Sequence, residues 1–569
     1  MKRTSIPKNT KDYKNKFRLV PVTTAILLAI TIIISFSFGI KENKNEVSFS
    51  KTLSKENNSG ISEGHFAIST PRPEAREAAA EILAKGGNAV DAAVAAIATL
   101  AVIQTSSVGI AGYGGSIVIY SSKDKKVSAI DFDSRAPLAL KPESLNKANA
   151  THGYLATGVP GIVSGLELAL KNHGTLGWNV VTKHAYDLAD KGIVVDSKLK
   201  RALEGFVKHA DKASIDAYLP NGVPEVGTVW QQKDLARVIK AIGDGGTDAF
   251  YKGSIAKQIV QFIQANGGIL TEADFANYKA REVEPLKISY RGNDIYGAPV
   301  PAAGITSLSI LKTLEQFDVP SLKSFGTDYV TLFARSSQLA WEERFRLLGD
   351  PDFVKFSSEE LLSENAAIER ANKIREGKVL ATNPGNPDPL HTVNVVIIDK
   401  DQNIVSLTAT QGDSYGSLVA VPGTGLVFGH GISRFDLTPG PNYPAPGKRP
   451  QHNMTPIVVL RDGKPLLGLG LPGGRFIVTV TSQLVVDVLD FKLTPQQAVT
   501  APRIHNEGDN HLKVSKDIPD EEVAELQAKG FIVERADNLG GPANVAVIDQ
   551  STGIIDAASE AGTDGVLIK

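Results

Sequence analysis

Thr392, Thr410, Asn394 and Thr408 fall at spacings that would gather them on one face of a β-hairpin. A hydroxyl held among polar neighbours can act as a nucleophile once a base takes its proton. The runs TVNVVIID and NIVSLTAT are rich in β-formers and flank Lys400-Asp401-Gln402, a turn-forming cluster. If Asp399 closes against Asn403, Ile397 pairs with Val405, Val395 with Leu407 and Val393 with Ala409 on a wholly apolar face. The same register sets Thr392 opposite Thr410 and Asn394 opposite Thr408 on the other face, at the open end. Just upstream, 376–389 (EGKVLATNPGNPDP) carries Pro, Gly and Asn and reads as irregular and exposed. Two readings stand at this point, a nucleophile at a strand start or an ordinary threonine on an exposed sheet face.

Other chemistries find less support. Gly412-Asp413-Ser414-Tyr415-Gly416 matches the nucleophile elbow G-x-S-x-G, but that motif needs a helix after it, and LVAVPGTGLVF (418–428) reads as strand and turn. Residues 468–473 spell G-x-G-x-x-G with Pro472 inside the loop and no matching βαβ unit, which speaks against a dinucleotide site. The ten histidines show no metal-ligand spacing, so no metal or cofactor is expected. The absence of cysteine removes disulfides, thiolate sites and cysteine nucleophiles together.

The elements that would position such a site alternate sheet and helix. Residues 74–83 (EAREAAAEIL) form a strong helix stopped by Gly86-Gly87-Asn88, and 89–102 continue as a second Ala/Val helix. IVIY and VSAIDF predict a hairpin around the charged stretch 123–126, and further helices follow to about residue 370. With 42% hydrophobic residues, and 61 basic side chains against 62 acidic ones, the chain is globular and near neutral, so a nucleic-acid partner has no electrostatic support.

Export is argued by the first forty residues. A basic tail, 1–18, precedes an uncharged run, 19–40, long enough to span a hydrocarbon core of roughly 30 Å as a helix. The tail should stay cytoplasmic and the rest lie outside, unless Ser37-Phe38-Gly39 serves as a signal-peptidase site and the protein is released. Residues 41–64 read as a polar tether.

Several stretches resemble gamma-glutamyltranspeptidases, also called glutathione hydrolases: STPRPEAREAAAEILAKGGNAVDAAVAA (69–96), GYLATGVPGIVSGL (153–166), ERFRLLGDPDF (343–353), the VVIIDKDQNIVSLT hairpin, GKRPQHNMTP (447–456) and LPGG (471–474). The likeness spans essentially everything after about residue 64. It implies an α/β (α+β) fold, the αββα four-layer sandwich of N-terminal-nucleophile hydrolases, here preceded by one transmembrane helix. It further implies a precursor that cuts itself at His391–Thr392 into a large chain, 65–391, and a small catalytic chain, 392–569, which stay together as a heterodimer. A free N-terminal α-amine has a pKa of about 8 and can take the proton from its own hydroxyl, which suits Thr392 as nucleophile. Thr410 resembles the threonine that hydrogen-bonds the nucleophile. Gly473 and Gly474 resemble the pair whose N–H groups hold the oxyanion. The substrate implied is a gamma-glutamyl peptide, small or polymeric.

Several positions depart from the family pattern. Asp133, in DFDSR, stands where the family arginine holds the glutamyl α-carboxylate, and Arg434 stands where an acid holds the α-amine. His452 and Asn453 replace serines beside the carboxylate, and Gly412 replaces an asparagine. The two inversions suggest either a reciprocal salt bridge between Asp133 and Arg434, or a carboxylate held anew by Arg135, Arg434 and His452. The span between Arg434 and Lys448 is short and Pro-rich and lacks a longer lid loop. Three functions follow: a gamma-glutamyl hydrolase or transpeptidase, an amidase of the same fold for another acyl donor in the manner of a cephalosporin acylase, or an uncleaved binding protein.

Overall fold

The computed structural model describes residues 65–382 and 391–569. The expected basic tail, membrane segment and tether, together with 383–390 of the irregular segment, lie outside the described residues. Among the described residues no helix is long and apolar enough to cross a membrane.

Two antiparallel sheets lie face to face with helices on both outer sides. The first runs, strand by strand, Val566–Ile568, Ala67–Ser69, Val393–Ile398, Ile404–Thr410, Gly114–Ser121, Lys126–Asp131 and Arg281–Val283. The second runs Ile555–Ser559, Asn544–Ile548, Lys464–Gly470, Ile457–Arg461, Asn293–Gly297 and Leu286–Tyr290. The strands thus interleave segments from both sides of His391–Thr392 in each sheet.

Period-two alternation sorts the side chains into three apolar layers. Val393, Val395, Ile397, Val405 and Leu407 pack outward against the helix Ala89–Ile103 and its neighbours. Val396, Ile398, Ile404 and Val118 face Val458, Leu460, Ala546 and Ile548 between the sheets. On the far side Ile295, Val459, Leu467 and Leu469 meet the helices Gly304–Leu314 and Phe476–Leu489. All residues of Ala89–Ile103 are buried, as expected of a helix apolar on every side, and Asn88 caps it through a reciprocal capping box with Asp91.

The two sheets approach closely at a pair of glycines. A Cβ on Gly468 would stand 2.7 Å from Ile404 Cγ2 and 2.9 Å from Val396 Cγ1, and one on Gly470 would stand 2.3 Å from Asn394 Nδ2. The G-x-G of this stretch is therefore explained by sheet contact. The other decoy, 412–416, leads through turns into the short strand Ala420–Val421, with no helix following.

Candidate active site

The hairpin Val393–Ile398/Ile404–Thr410 pairs Ile397 with Val405, Val395 with Leu407, Val393 with Ala409 and Asn394 with Thr408, and Asp399 N–H donates to Asn403 O at 3.1 Å. Its polar face turns toward the second sheet, so the exposed-threonine reading is excluded: Thr392 is 5% exposed and Thr410 3%. Asn394 and Thr408 are taken up in that interface. Asn394 Nδ2 donates to Thr408 Oγ1 at 3.0 Å, and Asn544 Nδ2 donates to Asn394 O at 2.9 Å. Thr392 stands one step further out, where the sheets part.

Three groups converge on the Thr410 hydroxyl. Thr392 Oγ1 donates to it at 3.1 Å, Gly412 N–H donates to it at 2.8 Å, and it donates in turn to the His391 carbonyl oxygen. One donor and two lone pairs are then all in use, which fixes the direction of each bond. The proton of Thr410 lies on the carbonyl that precedes Thr392, and its oxygen faces the Thr392 hydroxyl.

Gly473 and Gly474 form the turn that enters the helix Phe476–Leu489. Gly473 sits at φ 136° and Gly474 at φ 59°, conformations that glycine adopts without strain. Gly474 lines a small cavity together with Thr392, Thr410, Arg434, His452, Asn453, Tyr113, Met454 and Ile477. Backbone N–H groups at a helix start are suited to a developing negative charge. On its other side Thr392 borders an open groove of about 1060 Å³, lined also by His391, Ser106, Ser107, Arg503, Gly540 and Gly541. The small cavity offers about 10 Å³ by the same measure, room for one water in this uncleaved chain.

The expected Asp133–Arg434 pair is not the arrangement adopted. Asp133 Oδ2 lies 2.7 Å from His452 Nε2, with both side chains buried, while Arg434 Nη2 donates to Gly412 O at 2.7 Å. His452 takes the partner because it enters on a segment already tied to the strand carrying Asp131. Met454 N–H donates to His452 Nδ1 at 3.3 Å, which leaves the ring proton on Nε2, donated to Asp133. Burial, opposed by Asp131 and aided by Arg344 and Arg434, lowers the His452 pKa to about 3. Burial and then Asp131 push the Asp133 carboxyl well up. The contact is thus a hydrogen bond donated by an uncharged imidazole. Since Nδ1 is occupied by Met454, His452 is not arranged as a relay to Thr392.

Arg135 is half-buried, its backbone bridged to Val159, and it is not among the residues lining the small cavity. Gly412 sits at φ 97°, and a Cβ there would stand 2.1 Å from His430 Cδ2, so His430 fills the space an asparagine side chain would need.

Two of the quoted stretches turn out to hold each other. Arg449 binds Asp350 and Asp131, and Arg344 Nη2 donates to His452 O at 2.9 Å and to Asn453 Oδ1 at 3.1 Å. ERFRLLGDPDF thereby fixes GKRPQHNMTP and delivers His452 and Asn453 to the cavity. Tyr113, which meets the His452 ring edge-on at 6.1 Å, was missed from sequence. Its place in AGYGG, amid glycines that let backbones close in, was the available signal.

The sequence pattern of the family described as Gamma-glutamyltranspeptidase matches residues 75–569. The chain is 32% identical over 507 residues to a protein named glutathione hydrolase proenzyme from Escherichia coli (strain K12), covering 83% of this chain and 86% of the relative. It is also 32% identical over 512 residues to one named acylase ACY 1 proenzyme from Pseudomonas sp. (strain SE83), covering 86% and 91%. Among solved structures, cephalosporin acylase from Bacillus halodurans superposes with a TM-score of 0.82 at 26% identity, over 90% of this chain and 97% of that one. Helicobacter pylori gamma-glutamyltranspeptidase superposes with a TM-score of 0.52 at 31% identity, over 56% and 93%.

Proposed function

This chain belongs to the gamma-glutamyltranspeptidase family, and from that premise we propose that it is made as a precursor which cuts its own His391–Thr392 bond and then uses Thr392 as the nucleophile of an amide-cleaving enzyme. An enzyme of hydrolase or transferase type is what the family comprises, and the relatives' names include proenzymes. The uncleaved binding protein is accordingly set aside.

The observation carrying this reading is the Thr410 hydroxyl, shared between the Thr392 hydroxyl and the His391 carbonyl. In self-cleavage Thr392 Oγ1 attacks the His391 carbonyl carbon, the C–N bond to Thr392 breaks as the nitrogen takes the proton the hydroxyl gives up, and water hydrolyses the ester left behind. The new α-amine then serves as base. It takes the hydroxyl proton as Thr392 attacks a substrate amide, the N–H groups of Gly473 and Gly474 receive the oxyanion, and the amine leaves with a proton. Water, or an acceptor amine, takes the acyl group from Thr392. Each oxyanion donor of this kind contributes about 3 to 4 kcal/mol. The large and small chains remain one body because both sheets contain strands from each.

A gamma-glutamyl amide is the donor that family membership favours. A second donor class is favoured by the cavity beside Thr392, whose described lining includes Arg434 but no carboxylate. An acyl group bearing a carboxylate and no α-amine suits that charge better, as for the acylases among the relatives. Residues 19–40 would hold the enzyme outside the cell membrane. The deciding experiment is the N-terminal sequence and mass of the purified chain lacking residues 1–45, followed by hydrolysis of gamma-glutamyl and glutaryl anilides. A small chain beginning at Thr392 supports the reading, and a single stable chain without turnover overturns it.

A further inference from the structure

We propose that Arg503, held by Glu560, is a positioning residue for the oxyanion turn, acting through the strap 539–541 that lies against it. This rests on the reading that Gly473 and Gly474 receive the oxyanion.

The strap and the turn touch backbone to backbone. Gly541 N–H donates to Pro472 O at 2.7 Å. A Cβ on Gly473 would stand 2.7 Å from Gly540 Cα, and one on Gly541 would stand 2.5 Å from Pro472 Cγ. With glycine on the strap side of these contacts, a shift of the strap is passed to the peptide planes of 472–474.

The strap itself lies between the strands Ile532–Ala536 and Asn544–Ile548 and belongs to neither. Arg503 supplies what a ladder would. Its Nη1 donates to Leu539 O at 3.2 Å and to Gly541 O at 3.3 Å, gripping two carbonyls across Gly540. Its Nη2 is paired with Glu560, which also accepts from Ala543 N–H at 3.1 Å just beyond the strap. The Arg503 side chain is 7% exposed, so its bonds to the two carbonyls are little screened by water, while Glu560 is 37% exposed. A planar fork can serve two carbonyls and a carboxylate together, which an ammonium cannot do with the same geometry. Arg503, the strap and Glu560 all border the groove that Thr392 opens into. Oxyanion donors act only within a few tenths of an ångström of their place, so the clamp bears on rate more than on ground-state binding.

The test uses the full chain with Arg503→Met, Arg503→Lys and Glu560→Gln. Three quantities are read: the rate of self-cleavage, kcat and KM after processing, and hydrogen exchange of the 473–476 amides against those of Val393–Ile398. The expected result for Arg503→Met is a kcat lower by roughly tenfold to a hundredfold with KM within about twofold, slower self-cleavage, and faster exchange confined to 473–476. Arg503→Lys should fall between, and Glu560→Gln, which keeps an acceptor, should recover most of the rate. Unchanged kcat and exchange, or a loss in KM alone, would overturn the clamp. If Arg503→Met does not fold, the other two variants decide by the same readouts. A wild-type chain that neither splits nor turns over sinks the active-site reading instead, and exchange at 473–476 then judges the clamp by itself.

Discussion

The hydroxyl of Thr410 lies 3.1 Å from that of Thr392 and donates, on its other side, to the carbonyl oxygen of His391. One side chain therefore touches both the attacking oxygen and the bond to be broken. This is possible because the two residues face each other at the end of a hairpin whose register is set by the apolar pairs behind them.

Thr392→Ala should leave a single uncleaved chain without turnover. Thr410→Ala should still split, but slower by roughly tenfold to a hundredfold, and Thr410→Ser should retain most of the rate. A time course on denaturing gels reads both, and splitting of Thr392→Ala at 391/392 would remove Thr392 from its role.

Arg434→Asp should weaken donor binding, and adding Asp133→Arg should not restore it. Asp133 is hydrogen-bonded to His452 in a buried site, so an arginine there places an uncompensated charge, at a cost of about 3–5 kcal/mol. A double-mutant cycle on kcat/KM and on unfolding checks this. Rescue by the second substitution would show that Asp133 and Arg434 act as a pair after all.

His452 should stay neutral far below the usual histidine range, since burial lowers its pKa to about 3. An unfolded histidine titrates near 6.5, so from about pH 6.5 down to 3 the unfolded chain takes up a proton that the folded one does not. That contribution to stability is complete above pH 6.5 and lost on acidification, by up to about 1.4 kcal/mol per pH unit. Asp133, raised by burial, works in the opposite direction, so the comparison is with His452→Gln: wild type should lose stability faster than the variant between pH 6.5 and 4.5. Parallel urea midpoints across that range would refute it.

Gly468→Ala should destabilise the chain by about 1–3 kcal/mol, because its Cβ would press on Ile404 and Val396 between the sheets. In a Thr392→Ala background, which keeps the chain in one piece, urea unfolding measures the loss directly. The same substitution in wild type should slow self-cleavage, since the displaced hairpin carries Thr392.

Local pattern carried the hairpin and its register, the paired helices Pro73–Ala84 and Ala89–Ile103, and the stretches that mark the family. These depend on alternation, caps and turn residues within a few positions of one another, and such signals are written in order along the chain. Whether the polar face of the hairpin met water or a second sheet depended on glycines at 468 and 470, some sixty residues away. The partner of Asp133 likewise lies 319 residues downstream, on a segment that Arg449 and Arg344 hold beside it. Inverted charges at two positions invited a pairing by sign, but hydrogen-bond geometry in a buried site is set by which backbone arrives where. The amino-acid order by itself determined the hairpin, its facing threonines and the kinship of the chain. Tertiary packing alone decided what surrounds Thr392, because contacts of such long range are settled by how the two sheets and their ion pairs close.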